Sequence, residues 1–153
     1  MTNIIWFKDL TIADVPKVGG KNASLGEMYS NLVKEGVSIP NGFALTAQAY
    51  QKFLEANDLE PKIREVLKTL ITKNLTNLQD HGQKIRQLIR SSEIPEDMGL
   101  EIFESYQILS KQFDTANTDV AVRSSATAED LPGASFAGQQ ASFLNIVGKE
   151  NLL

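Results

Sequence analysis

The chain has 153 residues, 42% of them apolar, which suits one domain with a real core, or part of one, and is too little for a multidomain enzyme. A net charge of −4 with 22% charged residues leaves no broad basic surface of the kind that holds nucleic acid through counterion release, so nucleic acid is not an expected partner. No apolar run approaches the roughly 20 residues that span a bilayer, Met1 leads into polar Thr2 and Asn3, and cysteine is absent; a soluble, unprocessed, cytoplasmic protein without disulfides or a membrane partner is expected, and a single histidine, His81, gives zinc little support.

In chain order, Ile4, Ile5, Trp6 and Phe7 predict an opening strand within Asn3 to Leu10, and Thr11 to Pro16 a turn-rich connection. After Gly19-Gly20, the residues Leu25, Met28, Leu32 and Val33 share a helical face, with a Ser24-to-Glu27 capping-box pattern at the start and Gly36 at the stop. Val37 to Leu45 carries Pro40, Asn41 and Gly42, so it predicts at best an interrupted strand, and Thr46 is placed to cap a helix containing Tyr50, Phe53 and Leu54. Pro61 opens a helix running from Glu60 to about Lys73 with Ile63, Val66, Leu67, Leu70 and Ile71 inward. Leu75 to Arg90 is a second helix of weaker periodicity, interrupted by Gly82, and Pro95 opens a third with Met98, Ile102, Tyr106, Leu109 and Phe113 inward. Val120 to Val122 follows a polar break as a short buried strand, and Phe143 to Val147 predicts a strand whose partners and following helix are missing. Helical hairpins bracketed by strands define an α+β chain, and its ending at Leu152-Leu153 fits a truncated domain.

Two segments have the composition that chemistry needs. Arg123 to Gln140 is rich in small and hydroxylic residues; with Gly133 and Gly138 it could wrap an oligophosphate in backbone N–H donors, while Arg123 at a strand end offers a planar fork to phosphate oxygens. Composition alone fits equally an ordinary surface loop with Arg123 in a salt bridge. The second segment, Val18 to Glu27, is a Gly-Gly turn delivering Lys21 to the first turn of a helix, where free N–H groups and the dipole favour anions. Its spacing is not that of a Walker A loop, and a solvated lysine after a turn is the commoner arrangement.

The stretches VGGKNASLGEM, IPNGFALTAQAYQKFL and VRSSATAEDLPGASFAGQQASFLN resemble, in order and spacing, three blocks of the phosphoenolpyruvate synthase and pyruvate phosphate dikinase family. The resemblance covers almost the whole chain, with Leu59 to Asn117 least diagnostic, and the continuous DLPGASFAGQQ favours the synthase branch. Rifamycin phosphotransferases are similar in this region, and a complete noncatalytic nucleotide-binding module is the alternative of a different class.

The family implies an ATP-grasp-like nucleotide-binding domain holding Mg-ATP between two subdomains, of which this chain resembles the first, with mixed sheet strands and a helical hairpin region. It implies transfer from ATP to a histidine on a swivelling domain and on to pyruvate held by a third domain, both outside this sequence. The isolated chain is therefore expected to be inactive, and homo-oligomerisation of the full-length protein is allowed. By position, Lys21 matches the lysine on the ATP phosphates and Arg123 the arginine on the transferring group. Gly138 falls in the phosphate-covering loop, Ser142 and Phe143 on the nucleotide-contacting strand, and Ser135 and Gln139 among further loop contacts. No metal ligand is expected here: those for Mg2+ lie beyond Leu153, and Glu129 and Asp130 shape the loop. The surroundings of His81 do not resemble the phosphohistidine motif, so it is expected to be an ordinary exposed or capping histidine.

Overall fold

The computed structural model describes residues 2–127, 130, 131, 134, 135 and 141–153, with 130, 131, 134 and 135 through their backbone alone. The opening apolar run forms β1 (Ile4–Trp6), which pairs antiparallel with β2 (Phe43–Leu45) in the register Ile4↔Leu45, Ile5↔Ala44 and Trp6↔Phe43. The facing Trp6 and Phe43 rings meet edge-on at 5.4 Å, the cross-strand aromatic contact that favours such a pair. The strand ends sooner than expected because Phe7–Asp9 tightens into a 3-10 turn, its Phe7 amide donating to the Gly42 carbonyl at 2.9 Å.

A second 3-10 turn, Ile12–Asp14, leads into α1 (Val15–Val18) and then α2 (Gly20–Leu32). Two expectations for α2 are corrected. The helix starts at Gly20, so Ser24 lies inside it and caps nothing; the Glu27 carboxylate accepts instead from the Ile12 amide at 3.1 Å and the Asn31 side chain at 3.0 Å. The buried face consists of Ala23 and Gly26, while Met28, Leu32 and Val33 are exposed. Gly26 explains the close packing: a Cβ there would lie 2.3 Å from the Leu10 Cβ, so only glycine lets the helix backbone press on Leu10. Leu10, Val18, Ala23 and Ala44 form this small core, with Ile5, Phe7 and Val15 against it. Gly36, at φ 83°, ends the region as expected.

The chain divides into two units, Met1–Ala49 with Glu96–Leu153, and Tyr50–Pro95. Thr46 caps α3 (Ala47–Ala56), its hydroxyl accepting from the Ala49 amide at 3.1 Å. Within the second unit, α4 (Leu59–Leu67) begins before Pro61 and stops well short of Lys73, leaving Leu67 and Ile71 exposed. In contrast, α5 (Leu75–Arg90) runs unbroken through Gly82, capped by the Asn74 side chain. His81 is buried, not exposed: Nδ1 lies 2.6 Å from the Asn77 carbonyl, which can only accept, and Nε2 lies 3.0 Å from the Thr69 hydroxyl. It fastens the α4–α5 turn.

In the first unit, α6 (Glu96–Gln112) buries Met98, Ile102, Tyr106 and Leu109, and Phe113, beyond its end, is exposed. β3 (Val120–Arg123) pairs antiparallel with β6 (Ser142–Ile146), which supplies the partner that the sequence reading missed, and α7 (Lys149–Leu152) follows. The ribbon has one extra residue on β6 between Val120 and Val122, where Asn145 takes φ 56°, a conformation asparagine tolerates in a bulge. Its base is clamped by the buried Tyr106, whose hydroxyl donates to the Thr118 carbonyl at 2.7 Å and accepts from the Gly148 amide at 3.0 Å. β4 (Asp130–Leu131) and β5 (Ala134–Ser135) pair antiparallel. The architecture is thus α+β, and each described pairing is two-stranded and antiparallel, so no mixed sheet forms among the described residues. No described helix is long and apolar enough to cross a membrane.

Candidate functional site

Gly19 sits between α1 and α2 with φ 80° and ψ 161°, a backbone region that is essentially glycine's alone. A Cβ at this position would lie 2.3 Å from the Ser125 Oγ and 2.8 Å from the Ala126 carbonyl oxygen. Residue 19 is therefore glycine for two reasons, conformation and contact. The contact joins segments far apart in the sequence: the Ser125 hydroxyl donates to the Val18 carbonyl at 3.0 Å across 107 positions. The same carbonyl accepts from the Asn22 side chain at 2.8 Å, so strand end and helix start share one acceptor.

On one side of this junction, α2 presents its first turn, at the positive end of the helix dipole. Lys21 is the second residue of that turn and is exposed. On the other side, Arg123 ends β3 on the exposed side of a strand that alternates half-buried Val120 and Val122 with exposed Ala121 and Arg123. Ser124 then fixes the way out of the strand: its amide and hydroxyl both donate to the Ala141 carbonyl, at 3.2 and 3.1 Å.

Ser142 pairs directly with Arg123, and Phe143 pairs with Val122. Ser142 is exposed and Phe143 is 58% exposed, so the strand predicted to meet the nucleotide has its aromatic ring in the open. The fold therefore brings the Lys21-bearing turn to the segment leaving Arg123, and Arg123 to Ser142. Ser135 is described as backbone only, within β5, opposite Asp130. Gly138 and Gln139, like Glu129 and Gly133, lie outside the described residues. His81 belongs to the Tyr50–Pro95 unit. Among the described residues no group of three or more histidine, cysteine, aspartate or glutamate side chains could hold a metal ion.

The residue that sequence reasoning passed over is Ser125. Its signal was present as the second serine after Arg123, and in Gly19 as the first of two adjacent glycines at the helix start. Neither signal says which distant segment the residue meets.

A glycine-lined helix start carrying a lysine, joined to a strand end carrying an arginine, suits a nucleotide-binding domain, and comparison with known proteins gives that class. The family described as pyruvate phosphate dikinase, AMP/ATP-binding domain, matches residues 15–153, and the chain belongs to this family. Among individual proteins it is 53% identical over 150 residues to the phosphoenolpyruvate synthase of Aquifex aeolicus (strain VF5), covering 98% of this chain and 18% of that protein. It is 48% identical over 153 residues to the phosphoenolpyruvate synthase of Helicobacter pylori (strain ATCC 700392 / 26695), covering 100% and 19%, and 47% identical over 150 residues to that of Escherichia coli (strain K12), covering 98% and 19%. The chain spans about a fifth of the length of these curated relatives. They bear out the resemblance to the synthase branch and do not favour an antibiotic phosphotransferase or a noncatalytic module.

Proposed function

We propose that this chain is the ATP-binding portion of a phosphoenolpyruvate synthase, a phosphotransferase that converts ATP, pyruvate and water into AMP, phosphoenolpyruvate and phosphate through a phosphohistidine. The observation that carries the reading is the Ser125–Val18 hydrogen bond packed on Gly19, which ties the turn bearing Lys21 to the segment leaving Arg123 in a chain of the AMP/ATP-binding family. Phosphoryl transfer asks a protein mainly for positioning and neutralisation of charge, and these residues supply both.

In this reading Lys21 and the α2 N-terminus take the ATP phosphates, and Arg123 steadies the group in transfer. Ser142 and Phe143 meet the nucleotide on β6, and Ser135, Gly138 and Gln139 belong to the segment that covers the phosphates. The chain forms the first subdomain of an ATP-grasp-like site in a cytoplasmic enzyme. Mg2+ is expected with the nucleotide and is assigned no ligand in this chain. The reacting histidine is not His81, whose two ring nitrogens are both engaged in holding the α4–α5 turn. It and the pyruvate site belong to other parts of the enzyme.

The test is formation of phosphoenolpyruvate by the full-length protein with ATP and pyruvate, measured beside Lys21→Ala and Arg123→Ala. Each substitution is expected to cost on the order of 10²-fold in rate, comparable with removing one preorganised donor at a developing oxyanion. Product formation at the unchanged rate in both variants would remove these residues from the reaction, and ATP turnover without phosphoenolpyruvate would remove the acceptor.

A further inference from the structure

We infer that Ser125 is a positioning residue for the nucleotide site, acting through the helix start that carries Lys21; the inference rests on the reading that Lys21 takes the ATP phosphates. Three observations carry it. First, the Ser125 hydroxyl makes the described side-chain bond from the segment after Arg123 to the turn before Lys21, 3.0 Å to the Val18 carbonyl. Second, the junction is closely packed, since at residue 19 there is no room even for a methyl group between the turn and Ser125. A bond in such a contact fixes distance as well as satisfying polar groups.

Third, the bond is redundant for satisfying its acceptor. The buried Val18 has a carbonyl with two lone pairs, and the Asn22 side chain occupies one of them at 2.8 Å. Removing the Ser125 hydroxyl leaves that carbonyl hydrogen-bonded, so the large penalty of an orphaned buried polar group does not arise. What is lost is the tie across 107 positions. A fold that stands while its two cationic segments lose their mutual reference is the mark of positioning, and it separates Ser125 from residues that merely hold the core. Catalytic sites are sensitive to this kind of loosening, because displacements on the order of 1 Å reduce rates by about 10²-fold.

The test is a double-mutant cycle in the full-length protein, combining Ser125→Ala with Lys21→Ala. ATP affinity is measured by calorimetry with Mg-ATP, and the unfolding midpoint by thermal scan. Ser125→Ala alone is expected to weaken ATP binding by about fivefold, a typical coupling between residues that share a network, and to move the midpoint by no more than about 4 °C. In the Lys21→Ala background the same substitution is expected to add no further loss, because the group it positions is gone. An equal loss in both backgrounds, or no loss in either, overturns the positioning role. Failure of Ser125→Ala to fold overturns it too, since the role requires the fold to survive. If Lys21→Ala leaves ATP affinity intact, the functional reading itself fails, and that arm is separate from the others.

Discussion

Gly19 and Gly148 have nearly the same backbone, φ 80° and ψ 161° against φ 82° and ψ 165°, and each precedes a helix, α2 or α7. Their surroundings differ. A Cβ on Gly19 would collide with Ser125 and with the Ala126 backbone, whereas no described atom lies within 4 Å of one on Gly148. Gly148 is glycine for its dihedrals alone; Gly19 is glycine for its dihedrals and for what lies against it. The comparison separates a glycine held by close packing against a distant segment from one held by its dihedrals alone.

Substitution separates the two cases. Gly19→Ala, which combines forbidden dihedrals with an overpacked contact on backbone that cannot swing away, is expected to cost roughly 3–5 kcal/mol of stability, seen as a drop of roughly 6–20 °C in unfolding midpoint. Gly148→Ala has only the dihedral strain and is expected to cost roughly 1–3 kcal/mol. Equal losses at the two positions would mean that the contact with Ser125 and Ala126 contributes nothing.

The smallest effect lies just upstream of the junction. Asp14 is held below its ordinary carboxyl value of 3.8, first by the Lys17 ammonium and then by the Thr11 amide and hydroxyl. A carboxyl with a lowered folded-state value stabilises at pH above 3.8 and loses that contribution as pH falls through the folded value. The stability gap between the natural protein and Asp14→Asn, small because its Lys17 partner is exposed, is therefore expected to close as the pH is taken below 3.8; a gap independent of pH would rule out the charged state as its source.

Much of the local structure was legible in the sequence. Helix α5 runs over the expected Leu75–Arg90, and Gly82 costs propensity without breaking it. Thr46 caps α3, Gly36 stops the α2 region, and the β6 strand falls within a residue of its expected bounds, because caps, αL glycines and short apolar runs act locally. The inward face of α2 was not legible. Periodicity looks for large apolar side chains, and this helix is buried through Ala23 and Gly26, where closeness replaces bulk. His81 defeated the reading in a similar way: a polar residue in a polar stretch is buried because Thr69 and Asn77 satisfy both ring nitrogens.

The candidate site divides along the same line. Lys21 and Arg123 stood out as cations beside small residues, each within its own segment. Nothing local in either segment announces the other, and the bond from Ser125 to Val18 exists only once the chain has closed a loop of more than a hundred residues. Pairing partners were hidden for the same reason: β6 was recognisable as a strand, but eighteen residues, most of them in the small-residue segment, separate it from the end of its partner β3.

The central claim is that the side chains of Lys21 and Arg123 act on one nucleotide, and a structure of the full-length protein with a nonhydrolysable Mg-ATP analogue tests it most directly. The account predicts the Lys21 ammonium and the Arg123 guanidinium within hydrogen-bonding distance of oxygens on the same triphosphate, with the Ser125–Val18 bond intact beneath them. A nucleotide bound elsewhere, or bound with these two groups directed to separate regions, would contradict it.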